Sequence, residues 1–133
     1  DLAQPQNTTL RCWRTDDRLA KGWWLPPEIC PARTTTGKLH TSQQKFTVKP
    51  SIDIYCFYWI LMDLLCGAET AAKVARQAIR DVSNFPTYFT GFLSSLRQSG
   101  MVTQADILES LQVSIHPDPC LRPSADGLID ILE

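Results

Sequence analysis

Two carboxylates interrupt an otherwise apolar run from Ser51 to Gly67: Asp53 near its start and Asp63 near its end. Ile54 to Met62 carries no charge, and Gly67 stands where a helix stop belongs. The run reads as a helix apolar on nearly every face, so protein or lipid must surround it. About 15 helical residues span roughly 22 Å. With two carboxylates that is a poor membrane span, and a central core helix is expected. A buried Asp53 in the first turn calls for backbone donors from another segment.

A second charged feature is basic. Arg33, Lys38, Lys45 and Lys49 lie in a stretch with no acid between Glu28 and Asp53, beside Thr34-Thr35-Thr36. Pro31, Gly37, Ser42 and Pro50 break any helical period there. Residues 29–50 are therefore expected to be a basic, solvated loop. The same charges could also dock a phosphorylated or acidic partner.

Metal chemistry finds little support. Cys12, Cys30, Cys56, Cys66 and Cys120 are scattered without a C-x-x-C, and His40 and His116 stand alone. Thiols of this kind fit a reducing compartment. Asn7-Thr8-Thr9 is formally a glycosylation acceptor, but no secretory signal accompanies it. With no apolar span of membrane length, the expectation is an intracellular, cytoplasmic protein. The formal net charge of −1 gives no reason to invoke nucleic acid or a membrane surface as partner. At 133 residues the chain is long enough for one domain with its own core.

The elements that must position these groups follow from periodicity. Residues 1–25 lack a sustained period, and Trp13, Trp23 and Trp24 are expected to pin an irregular segment onto the core. Ala71, Ala75, Ala78, Ile79 and Val82 have helical spacing with a small-residue face. Tyr88, Phe89, Phe92, Leu93 and Leu96 form an aromatic stripe that Gly100 ends. Thr103-Gln104-Ala105-Asp106 reads as a capping box ahead of Ile107, Leu108, Leu111 and Ile115, with Pro117 as the stop. Ser124 is a fitting N-cap for a last helix whose Leu128, Ile129 and Leu132 face inward. The expected class is mainly α: a helical core over 51–133, five helices, no strand alternation and no internal repeat.

The central run also resembles, in register, the central helix of the protein-kinase C-terminal lobe, D-[VI]-[YW]-S-x-G-x-x-x-x-E-[LM]-x-x-G. Asp53, Tyr55, Asp63, Leu64 and Gly67 fall on its patterned positions. Pro26-Pro27-Glu28 is similar to the Ala-Pro-Glu that closes a kinase activation segment. Asp118-Pro119-Cys120-Leu121-Arg122-Pro123-Ser124-Ala125 is similar to the D-P-x-x-R-P-[ST]-A before the final helices. The three occur in the family's order and cover most of the chain. The resemblance implies a kinase-like C-lobe portion, with 1–28 as an activation-segment-like stretch and an insertion near 32–46. It implies structural roles for Pro27, Asp53 and Trp59, and a buried ion pair between Glu28 and Arg122.

Phosphoryl transfer needs more than this chain holds. There is no glycine-rich loop, no V-A-I-K-like Lys and no H-R-D-x-x-x-x-N string. Asp1, in a degraded Asp1-Leu2-Ala3, is the single magnesium-ligand candidate; no other cofactor residue is expected. Pro26 replaces the family's small residue, and Lys21 and Gly22 stand where Ser/Thr kinases keep a Thr. Tyr58 replaces a Gly, and Trp23-Trp24 is bulky where a substrate peptide would lie. The reading is a non-catalytic, pseudokinase-type scaffold that binds proteins, including the remainder of its own kinase-like domain, through Arg33, Lys38, Lys45, Trp23 and Trp24. The alternative is a fragment of an active Ser/Thr kinase, with ATP and magnesium bound by a missing half and Thr8, Thr9 and Thr15 as phosphosites. A third is an unrelated all-helical adaptor.

Overall fold

A computed structural model describes residues 9–11, 13–29 and 45–133. Among them the chain is mainly helical. A strand β1 (Thr9–Arg11) is followed by α1 (Thr15–Lys21) and a 3-10 turn at Pro27–Ile29. Strand β2 (Lys45–Thr47) then leads into α2 (Pro50–Cys66), α3 (Ala68–Arg80), α4 (Phe85–Gln98) and α5 (Val102–Ser110). Two more 3-10 turns, Gln112–Ile115 and Pro119–Leu121, precede α6 (Ala125–Leu132).

Helix α2 organises the core. Pro50 opens it with a preset φ, and Gly67 closes it at φ 98°, donating its N–H to the Asp63 carbonyl at 2.8 Å. A Cβ at Gly67 would meet no neighbour, so the positive φ alone selects glycine there. Tyr55, Tyr58, Trp59 and Met62 of α2 are buried against Ala71, Val74 and Ala75 of α3 and Phe89, Leu93 and Leu96 of α4. The small residues of α3 let its backbone approach α2. Tyr58 is fully buried and donates its hydroxyl to the Leu108 carbonyl at 2.6 Å, which ties α2 to α5. A smaller cluster of Leu25, Ile29, Ile52 and Cys56 fastens the stretch before α2 to the start of that helix, with Trp13 and Trp24 packed on it.

Several expectations need correction. Helix α2 is not enclosed on every side: Phe57, Ile60 and Leu64 are 42%, 52% and 80% exposed. Asp53 lies on the open side too and is exposed. The stretch before residue 28 contains α1. Where no strand alternation was expected, an antiparallel pairing joins Thr9 to Thr47 and Arg11 to Lys45, one strand from the stretch before residue 28 and one from the region expected to be loop. Thr103 caps nothing: α5 starts at Val102 with Met101 as N-cap, and it ends at Ser110, before Pro117. Ser124 does cap α6, its hydroxyl accepting from the Gly127 N–H at 3.1 Å, yet Ile129 and Leu132 face outward. Val82 lies beyond the end of α3 and is exposed.

Candidate functional site

Three arrangements carry charge or open space. The first surrounds Arg122. Arginine presents five N–H donors in a planar fork, and here every one has an acceptor. Its Nη1 donates to Glu28 Oε2 at 2.6 Å and to the Ser51 carbonyl at 3.1 Å. Its Nη2 donates to Glu28 Oε1 at 2.8 Å and, at 3.5 Å, to the Pro117 carbonyl. Nε donates to the His116 carbonyl at 2.8 Å. The bidentate pair joins residues 94 positions apart. One guanidinium thus gathers the Pro26-Pro27-Glu28 turn, the first turn of α2 and the Asp118–Ser124 stretch.

Tyr55 lies beside it. The Arg122 guanidinium carbon is 4.9 Å from the centre of the Tyr55 ring, and that of Arg18 is 6.0 Å away. Arg18, on α1, donates from Nε to the Leu25 carbonyl at 2.8 Å and from Nη2 to the Tyr55 hydroxyl at 3.1 Å. Burial pushes the Tyr55 phenol above its ordinary range, against the pull of Arg18. Burial also pushes the Cys56 thiol up to about 12, with Asp53 acting in the same direction. Neither group is poised to act as a nucleophile near neutral pH.

The second arrangement is an open groove of about 510 Å³ between Trp23 and one face of α3. Lys73, Arg76 and Arg80 line it, with Glu69 the one acid among its lining residues. Their spacing puts all three cations on one helix face. Arg76 Nε also donates to the Leu19 carbonyl at 2.8 Å, which fixes α3 against α1 and the groove's geometry with it. Trp23 meets Trp24 edge to face at 5.3 Å, so the wall of the groove is aromatic and held in place. Trp23, Trp24 and the helices after Gly67 were expected contact surfaces from the sequence; the individual α3 cations were not singled out, although a basic residue at i, i+3 and i+7 marks them.

The third arrangement is a half-enclosed pocket of about 520 Å³, walled mainly by apolar side chains from the end of α3, the start of α4 and the Gln112–Pro117 stretch.

The predicted site residues therefore separate. Glu28 and Arg122 meet, with Pro27 in the adjoining turn and Trp59 fully buried in the core. Asp53 stands apart on the open side of α2. Trp23 lines the groove, while Trp24 packs on the core behind it. Thr15 is the exposed first residue of α1, and Thr9 and Lys45 lie in the paired strands. Asp1, Thr8, Arg33 and Lys38 fall outside the described residues. Among the described residues no group of three metal-ligating side chains forms, and no helix is long and apolar enough to cross a membrane. No family model, curated protein or solved structure matches the chain.

Proposed function

We propose that this chain is the C-lobe portion of a kinase-like fold and works without catalysis, as a module that binds an acidic segment of a partner protein along the Trp23–α3 groove. The observation that carries the binding role is the groove itself. Three cations and one carboxylate of α3 line an open channel, a net positive face beside a tryptophan whose ring offers flat apolar area. Charge of one sign in a shallow groove raises the local concentration of an oppositely charged partner, and an aromatic wall supplies an anchor. The kinase-like part of the reading is supported by Arg122, which bonds the turn and helix that the three motifs name. The non-catalytic part is supported by departures inside the motifs that are present: Pro26 for a small residue, Lys21 and Gly22 where Ser/Thr kinases keep a Thr, Tyr58 for a Gly, and the bulky Trp23-Trp24.

The test is fluorescence anisotropy with a panel of labelled acidic, phosphorylated and basic peptides, run on the wild-type chain and on a Lys73→Glu/Arg80→Glu double variant. Acidic peptides should bind, bind less as salt is added, and lose at least about tenfold in affinity in the variant. Equal binding to both proteins would remove the groove from the function. In the natural full-length protein, binding of Mg-ATP followed by phosphoryl transfer would overturn the non-catalytic part.

A further inference from the structure

Arg18 and Arg122 flank the same tyrosine but are provided for differently. Arg122 has Glu28 as counter-charge and an acceptor for each of its five donors. Arg18 is equally deep, at 5% exposure, yet among the described residues it bonds only two neutral oxygens, the Leu25 carbonyl and the Tyr55 hydroxyl. A buried guanidinium normally meets a carboxylate or phosphate, because desolvating a charge without a counter-charge is costly. Counting Arg18, Arg122 and Glu28, the charge gathered at Tyr55 is one positive in excess.

That excess lies at the wall of the half-enclosed pocket. Arg18 and Tyr55 line it, and no Asp or Glu is among its lining residues. Ala78, Val82, Phe85 and Val113 supply an apolar body. His116 also lines the pocket. Its Nδ1 accepts the Asp118 N–H at 2.9 Å, which leaves the ring proton on Nε2 as a second donor. A pocket of about 520 Å³ falls within the usual size range of small-molecule sites, in which apolar walls and a few convergent polar groups fix the ligand's orientation.

We propose that this pocket binds a small amphiphilic monocarboxylate, with its carboxylate on Arg18 and its aliphatic body against Ala78, Val82, Phe85 and Val113. A carboxylate supplies the missing counter-charge and accepts from a guanidinium in charge-assisted geometry. A single anionic head with an apolar tail matches one cation above an acid-free apolar wall. The site is separate from the Trp23 groove and does not depend on the partner proposed there.

Decanoate and decan-1-ol, which share a tail and differ in the head, are the probes. Isothermal titration calorimetry on the whole 133-residue chain should give saturable one-to-one binding of decanoate. The alcohol should bind at least about tenfold more weakly, the discrimination expected of a charge-assisted hydrogen bond. Val82 is 54% exposed, so Val82→Glu leaves the core intact while placing a negative charge and extra bulk at the pocket. That variant should keep its melting temperature and lose at least about tenfold in decanoate affinity. Absence of saturable decanoate binding, equal affinity for acid and alcohol, or undiminished binding by the folded Val82→Glu variant would each overturn the proposal.

Discussion

Among the described residues two arginines pair with carboxylates, and their surroundings give them different worth. Arg122 is held in the interior, its side chain 0% exposed, and closes a bidentate pair with Glu28 while bonding three backbone carbonyls. Arg97 lies on α4 with its side chain 33% exposed, and its Nη2 is shared between Asp106 at 3.0 Å and Glu109 at 3.2 Å on α5. On paper Arg97 has the more carboxylates. Water and salt already solvate those charges, and fixing the long side chains costs entropy, so exposed pairs contribute little. Arg122 is different because its loss leaves Glu28 and the carbonyls without donors that water could easily replace. The number of ion pairs is thus a poor guide here; depth and completeness of bonding decide.

The largest expected effect is the loss of that donor set. Arg122→Leu should destabilise the domain by about 3–5 kcal/mol, the typical cost of leaving one partner of a buried pair alone. Chemical denaturation followed by circular dichroism reads this directly. An Arg122→Leu/Glu28→Leu double variant should recover part of the loss, since the stranded carboxylate is gone, but not all of it. The carbonyls of His116 and Ser51 still lack their donors. A single variant as stable as wild type would break the comparison at its stronger end.

Alkaline pH probes the same contrast through groups buried in α2. An exposed thiol ionises near its ordinary 9.0, whereas Cys56 keeps its proton up to about 12 in the folded chain. Between these values the unfolded chain binds fewer protons than the folded one. The stability contributed by Cys56 is therefore complete below pH 9 and lost as pH rises toward 12. Each such group adds a slope of about 1.4 kcal/mol per pH unit in its window. Burial raises the Tyr58 phenol as well, so it acts in the same direction above pH 10. Urea midpoints measured across this range should fall steadily, and Cys56→Ala should flatten the first part of the fall.

Tyr58→Phe should cost less, about 1 kcal/mol, because it removes one buried hydrogen bond and leaves the ring packing in place. Its equilibrium stability, measured beside that of Arg122→Leu, ranks a single neutral bond against a complete charged set.

What the sequence made legible was local. Gly67 after an unbroken apolar run, the α4 stripe ending before Gly100, and Ser124 ahead of Gly127 each depend on a few neighbouring residues, and the backbone follows them. Context outside the segment hid the rest. An apolar run says that α2 is attractive to neighbours, not how many arrive, so the exposure of Phe57, Ile60 and Leu64 was not readable from it. The short α1 has no strong period, and it is held by distant partners: Arg18 reaches the Leu25 carbonyl and Tyr55, and Arg76 reaches Leu19. The Thr103 capping pattern was chemically sound, but the helix is entered two residues earlier, at Met101, whose N–H donates to the Leu96 carbonyl at 2.9 Å. Of the candidate sites, the cations of the groove were present as a spacing on α3. The pocket was not, because Arg18, Val82 and Val113 come together only through packing.

The smallest expected effect lies at the exposed arginine. Arg97→Ala should leave the urea midpoint within experimental error of wild type in physiological salt. Both carboxylate partners are more than half exposed and are rehydrated once the guanidinium leaves. Any contribution that exists at low salt should fade as salt rises, because the screening length shrinks to about 3 Å at 1 M. The Arg122 side chain is fully covered and its bonds to Glu28 are direct and bidentate, so the deficit of Arg122→Leu should depend on salt much less than that of Arg97→Ala. Running the two variants through one salt series separates a pair governed by solvent from a pair governed by burial. If Arg97→Ala cost as much as Arg122→Leu at every salt concentration, α4 and α5 would be held together by that surface network, and depth would no longer explain the difference between the two arginines.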